Sequence, residues 1–191
     1  MAYKFVSFFL CLLFLSRSLY LGAAETSRVE LKTSMGNIVI ELYDERAPKT
    51  VKNFLEYVEN GFYDGFIFHR VIRDWVIQTG AYDKDLVEYE TSGPVRNEAS
   101  NGLQNVRGSV AMARHDDPHS ADSQFFINLS DNHELDHKSR TLDGYGYCVF
   151  GRVIKGMEVA DAIGGVATHA VSGFEDVPVE PVFIEQASKL N

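Results

Sequence analysis

The sequence predicts a mainly β fold, a closed eight-stranded antiparallel barrel capped by two α-helices. Three observations carry that expectation. About eight short runs of β-branched and aromatic residues recur along the chain, separated by Gly, Asn, Asp and Pro. Helical periodicity occurs twice, once early and once late. After residue 24 a single cysteine remains, so a hydrophobic core and not disulfides must hold the domain together. A sheet closed on itself with helices over its ends satisfies all three.

The elements follow in order. Arg28 to Ser34 alternates, with Val29, Leu31 and Thr33 on one side. Met35-Gly36-Asn37 reads as a turn, and Ile38 to Tyr43 as the second strand of a hairpin. Ala47-Pro48 opens a helix, because proline in the first turn loses nothing by lacking an N–H. Val51, Phe54, Leu55 and Val58 form its buried face, and Asn60-Gly61 ends it. Strands are expected at Ile67–Ile72, Val76–Thr79, Ser109–Ala113, Phe125–Leu129, Cys148–Ile154 and Val182–Ala187, with a second helix over Met157–Ile163. The long loops Gly80–Arg107 and Arg114–Asp122 are where a binding surface is expected on a small β scaffold.

The front of the chain differs from the rest. Lys4 precedes an apolar run from Phe5 to Leu15, and the small residues Gly22, Ala23 and Ala24 follow. That order predicts a secretory signal over residues 1–24, cleaved after Ala24, and one domain over residues 25–191. An uncleaved anchor is the alternative, although the run is short of the roughly 18 apolar residues a span needs. Export follows, with a periplasm as the first location and secretion as the second. Without residues 1–24 the chain keeps 16 basic and 27 acidic side chains, a net of −11. A strongly acidic domain with no basic stripe excludes nucleic acid and anionic membrane surfaces as expected partners.

Three stretches carry candidate chemistry. His133-Glu134-Leu135-Asp136-His137 matches H-E-x-x-H, but that motif binds zinc only on a helix, and polar loop residues surround it here. A surface loop is the expectation, with no metal. Arg70 stands in the otherwise apolar run Phe66–Ile72, where a guanidinium needs either a carboxylate partner or a ligand. Phe125 and Phe126 should face opposite sides of one strand, so one can fill the core and the other can floor a groove, although pattern alone favours placing both in the core. Asn128-Leu129-Ser130 fits the glycosylation triplet, by chance if it lies in a strand.

Five blocks then resemble the cyclophilins in order and spacing: Phe68-His69-Arg70-Val71-Ile72; Gln78; Gly108 with Ala111-Met112-Ala113; Ser123-Gln124-Phe125-Phe126-Ile127-Asn128; and Val149-Phe150-Gly151-Arg152-Val153. The stretch from Asn97-Glu98-Ala99 through Arg107-Gly108 resembles the exported cyclophilins of Gram-negative bacteria. The resemblance implies peptidyl-prolyl cis-trans isomerase activity on unfolded or flexible proline-containing polypeptides, without a cofactor and as a monomer. It implies Arg70 as the catalytic residue, and Phe126, Leu135 and Val76 as the pocket for the proline ring, flanked by Trp75. Gln78, Gln124 and the backbone at Ala113 and Arg114 would hold the substrate chain, and Tyr147 would stand where many members carry histidine. Three departures matter. Trp75-Val76 replaces Phe-Met, Arg73-Asp74 replaces Pro-Gly, and Glu134 replaces an aromatic residue that helps bind cyclosporin. Weak cyclosporin binding is therefore expected. A non-enzymatic module that holds proline segments in the same groove is the competing expectation.

Overall fold

The structure is a computed structural model that describes residues 26–190, so the expected signal and its cleavage site lie outside the described residues. The chain runs β1 (Arg28–Thr33), β2 (Gly36–Leu42), α1 (Pro48–Glu59), β3 (Arg70–Ile72), β4 (Val76–Thr79), β5 (Ser109–Met112), β6 (Phe125–Asn128), β7 (Val149–Lys155), α2 (Met157–Gly164), β8 (Thr168–Val171), β9 (Phe174–Pro178) and β10 (Ile184–Leu190). Among the described residues no helix is long and apolar enough to cross a membrane.

Eight strands form one antiparallel sheet in the order β10-β1-β2-β7-β5-β6-β4-β3. Register shifts at Lys32/Thr33, Val39/Ile40 and Val110/Ala111 insert bulges, which bend the strands and curl the sheet. The curl brings its two edges toward each other. The expected closure is met only in part, because β3 and β10 share no ladder. One bridge joins Ile67 to Phe183, flanked by bonds from Phe68 N to Val182 O (2.9 Å) and from Ile184 N to Phe66 O (2.7 Å). This also corrects the expected strand starts: Ile67 lies before β3, and β10 begins at Ile184.

The concave side holds the core. Leu31, Ile38, Ile40, Phe125, Ile127 and Phe150 are fully buried there. Helix α1 lays Val51, Phe54 and Val58 into it, and the Phe54 ring meets Phe125 edge-on at 5.2 Å. Phe125 starts β6. Leu129, just past the end of β6, lies so close to Gly164 of α2 that a Cβ on that glycine would clash with it. The two helices therefore cover opposite openings of the curled sheet. Burying these side chains stabilises the fold by about 1.5–3 kcal/mol for each large apolar residue.

Two details depart from expectation. The β1–β2 turn is Ser34-Met35, one position early, because Gly36 already pairs with Thr33. The hairpin of β8 and β9 was not expected at all. It turns on Ser172-Gly173, both with positive φ (54° and 86°), and most of its residues are exposed.

Candidate active site

Alternation along three strands builds a second, smaller apolar cluster on the convex face. In β4, β5 and β6 the residues Ile77, Val110, Met112, Phe125 and Ile127 point into the core. Their neighbours Val76, Ala111, Ala113 and Phe126 point the other way and pack with Val149, Trp75, Leu103, Leu135 and Tyr147. Strand register aligns four residues in one row across the sheet. Arg70 of β3 faces Gln78 of β4, Gln78 faces Phe126 of β6, and Phe126 faces Ala111 of β5. Cross-strand partners share a face, so this row sets a guanidinium, an amide and an aromatic ring side by side.

The row opens into a cavity of about 240 Å³. Arg70, Trp75, Val76, Gln78, Ala113, Arg114, Phe126, Leu135 and Tyr147 line it. Nine of the eleven residues expected at a substrate groove are therefore brought together by the fold, from segments between residues 70 and 147. The other two stand behind them. Gln124 accepts a hydrogen bond from Gln78 Nε2 at 2.9 Å and braces that amide. Glu134 accepts one from Trp75 Nε1 at 3.0 Å and fixes the indole.

Among the described residues no carboxylate pairs with Arg70, although the sequence left an ion pair open. Its guanidinium lies 5.2 Å from the centre of the Trp75 ring. That cation–π contact orients the group and uses none of its N–H donors. Arg114 similarly lies 4.9 Å from the Tyr147 ring centre, and the Tyr147 ring meets Phe126 edge-on at 5.7 Å. The cavity thus has an apolar floor, an aromatic wall and unspent hydrogen-bond donors at its rim.

Comparison with known proteins decides the family. Residues 28–189 match the family model for the cyclophilin-type peptidyl-prolyl cis-trans isomerase/CLD. The chain is 57% identical over 164 residues to a peptidyl-prolyl cis-trans isomerase of Streptomyces antibioticus, covering 86% of this chain and 99% of that protein. It is 49% identical to isomerase A of Dickeya dadantii (87% and 86% covered) and 49% identical to isomerase B of Escherichia coli (84% and 98% covered). A cyclophilin-type isomerase of Cryptosporidium parvum shares the fold, with a TM-score of 0.72 at 24% identity over 87% of this chain and 99% of that one. This chain belongs to the cyclophilin-type peptidyl-prolyl cis-trans isomerases. It is an isomerase by family, with bacterial enzymes among its relatives.

In this cyclophilin the loop that carries Leu135 is held by a buried asparagine network that sequence reading did not single out. Asn132 Nδ2 donates to Trp75 O (3.0 Å) and to Asn128 Oδ1 (2.7 Å). Asn128 Nδ2 donates to Asn105 Oδ1 (3.2 Å) and Ser109 Oγ (2.8 Å). Asn105 in turn donates from its backbone to Asp136 Oδ1 (2.6 Å) and from its side chain to Leu135 O (3.2 Å). The network pins Trp75 and Leu135 on either side of the cavity. It also spends the amide of Asn128, which is fully buried and no acceptor for a sugar. No local pattern marks such residues, because apart from the Asn132–Asn128 pair their partners lie 19–57 positions away.

The H-E-x-x-H stretch is one 3-10 turn, His133–Leu135, followed by an extended Asp136. The two histidines do not share a helix face. His133 Nδ1 bonds Asp136 Oδ2 at 2.9 Å, which raises the imidazole pKa, and His137 Nδ1 bonds Tyr145 O at 2.7 Å. Cys148, the only cysteine among the described residues, is buried, and burial pushes its thiol up to about 11, so it is no ready nucleophile.

Proposed function

We propose that this cyclophilin rotates X–Pro bonds with Arg70 as its catalytic residue and with Val76, Phe126 and Leu135 holding the proline ring. The observation that carries the proposal is the cross-strand row of Arg70, Gln78 and Phe126 opening on an apolar cavity, with the guanidinium donors unspent. A relative supports the ligand class. A Cryptosporidium parvum cyclophilin crystallised in the presence of the dipeptide Ala-Pro superposes with a TM-score of 0.70 at 25% identity, covering 86% of this chain and 99% of that one.

The chemistry needs little from the protein beyond differential binding. Rotation breaks amide resonance, a barrier of about 18–20 kcal/mol. In the twisted state the proline nitrogen becomes pyramidal and gains a lone pair. Arg70 donates to that nitrogen or to the prolyl carbonyl, and the donation strengthens as the bond twists. The apolar floor holds the ring still while the preceding residue turns. Gln78, kept in place by Gln124, and the backbone at Ala113 and Arg114 bind the substrate chain. No covalent step is required, and no cofactor.

The biological setting belongs to the same proposal. Residues 1–24 direct export, first to a periplasm, where the enzyme acts as a monomer and speeds the folding of proline-containing clients. Cyclosporin binds weakly, because the Glu134 carboxylate supplies no indole and is held on Trp75. Nucleic acid and membrane surfaces are not its partners.

One experiment tests the core of this reading. Residues 25–191 are expressed as wild type and as Arg70→Ala, and cis-to-trans conversion of a proline tetrapeptide is followed. Loss of a preorganised donor to a transition state costs about 10²–10³ in rate, and a fall of that order is expected with the fold intact by circular dichroism. A folded Arg70→Ala protein with wild-type turnover would remove Arg70 from the mechanism. Export is tested separately, by asking whether residues 1–24 carry a reporter across a bacterial inner membrane.

A further inference from the structure

A second cavity, larger than the one lined by Arg70 and Phe126, lies on the other side of the segment Tyr145–Tyr147. Its volume is about 570 Å³, and four of its lining residues are Arg46, Lys49, Arg96 and Arg140. One carboxylate, Glu98, also lines it. That carboxylate is already engaged. It accepts from Lys49 N (3.1 Å), Thr50 N (2.9 Å) and Thr50 Oγ1 (2.9 Å) at the start of α1. Arg46 donates to Asn101 O, but among the described residues the side-chain cations of Lys49, Arg96 and Arg140 have no partner. A concentration of unneutralised cations around one concavity is the reverse of what a chain of net −9 would show by chance.

The two cavities share a wall. Tyr145 lines the basic one and Tyr147 the catalytic one. The carbonyl of Gly146 between them accepts from Asn97 Nδ2 on the basic side and from Arg114 Nε on the catalytic side, each at 3.1 Å. Tyr145 and Tyr147 are two positions apart, at most roughly 7 Å along the chain, so the two cavities adjoin closely enough for one bound peptide to reach both.

We propose that the basic cavity is a second substrate subsite that takes Asp or Glu side chains of the client two to four residues from the isomerised proline. The inference rests on the proposed seat of the proline ring, and it adds a substrate class to it: acidic segments flanking proline. It also resolves a difficulty for such clients. The protein's overall negative field repels them at long range, and the cavity supplies a local field of the opposite sign.

The test compares kcat/KM for three peptides at low ionic strength: a neutral proline peptide, one with acidic residues before the proline, and one with them after it. Wild type is expected to favour one acidic peptide over the neutral one by about five- to tenfold, the range of two or three exposed ion pairs together, and added salt should shrink that ratio. In Arg96→Gln/Arg140→Gln the ratio should fall toward one, and in Arg96→Glu/Arg140→Glu it should invert. Removing the same charge at Lys32 and Lys84, which line neither cavity, should leave the ratio at its wild-type value. Efficient turnover of the neutral peptide with no preference for either acidic one overturns the subsite while leaving the catalytic reading in place. A preference that survives the Arg96 and Arg140 substitutions also overturns it. Failure of all three peptides, by contrast, points to the catalytic reading itself.

Discussion

Arg70 and His69 are adjacent in sequence, and the chain carries them into different surroundings. Arg70 reaches the cavity rim beside Trp75. His69 is 4% exposed, packs against Tyr82 with ring centres 4.7 Å apart, and leaves its Nδ1 without a partner. Burial drives the His69 pKa from its ordinary 6.5 down to about 4; Gln124 opposes that shift and the Arg70 charge adds to it. The sign of the consequence is definite. Above pH 6.5 neither the folded nor the unfolded chain protonates this ring. Between 6.5 and about 4 the unfolded chain takes up a proton that the folded chain refuses, so stability falls as pH falls through that window. The full effect is about 3 kcal/mol. Urea denaturation of wild type and His69→Gln between pH 7.5 and 4 checks it, since the other titrating groups are common to both. Wild type should lose stability more steeply below pH 6.5, and parallel profiles would rule the histidine out as the cause.

At the scale of elements, the same contrast between local and distant causes decides what could be read from sequence. The strands of the sheet and both helices were legible from apolar patterning: Val51, Phe54 and Val58 repeat at helical spacing, while β5 and β6, buried on both faces, read as short runs of apolar residues between turn signals. The cyclophilin-like blocks brought Arg70, Gln78 and Phe126 together before register aligned them. The β8–β9 hairpin was missed because it buries little, which left Ser172-Gly173 as its only signal. Sequence could not decide whether Arg70 was paired, because any partner would be remote. For the same reason it could not find the cap of α1. The residue before that helix is Ala47, which has no side-chain acceptor. Glu98, from the long loop and 48 residues beyond Thr50, supplies the acceptor instead and satisfies two of the free N–H groups. Glu98→Ala should therefore cost about 1–2 kcal/mol, the range of a lost N-cap. Hydrogen exchange would locate that cost, with the amides of Lys49 and Thr50 losing protection first. Unchanged protection there would mean that α1 is held by its packed face alone.

At the scale of the whole molecule, the topology places the ends of the domain together and far in sequence from the site. Strands β1 and β10 pair with Arg28 opposite Leu190. Antiparallel partners are about 4.5–5.5 Å apart, so a linker of about three residues can join them without disturbing either strand. Every residue lining the cavity beside Arg70 lies between Arg70 and Tyr147, outside the joined ends and outside the β8–β9 hairpin. A circular permutant with Arg28 linked to Leu190 and new ends at Ser172 and Gly173 should then fold and turn over proline peptides at about the wild-type rate, because the opening falls in an exposed turn. It also frees Ser172 from its positive φ. A second permutant opened between Ser130 and Asp131 keeps the same join but cuts the loop that the asparagine network holds. Its core strands remain paired, while Leu135 loses the restraint that sets it beside the cavity. The pair of permutants separates scaffold from site. Circular dichroism should show both folded, and turnover should survive only in the first. Equal turnover in both would mean that the asparagine network is not what keeps the pocket in shape.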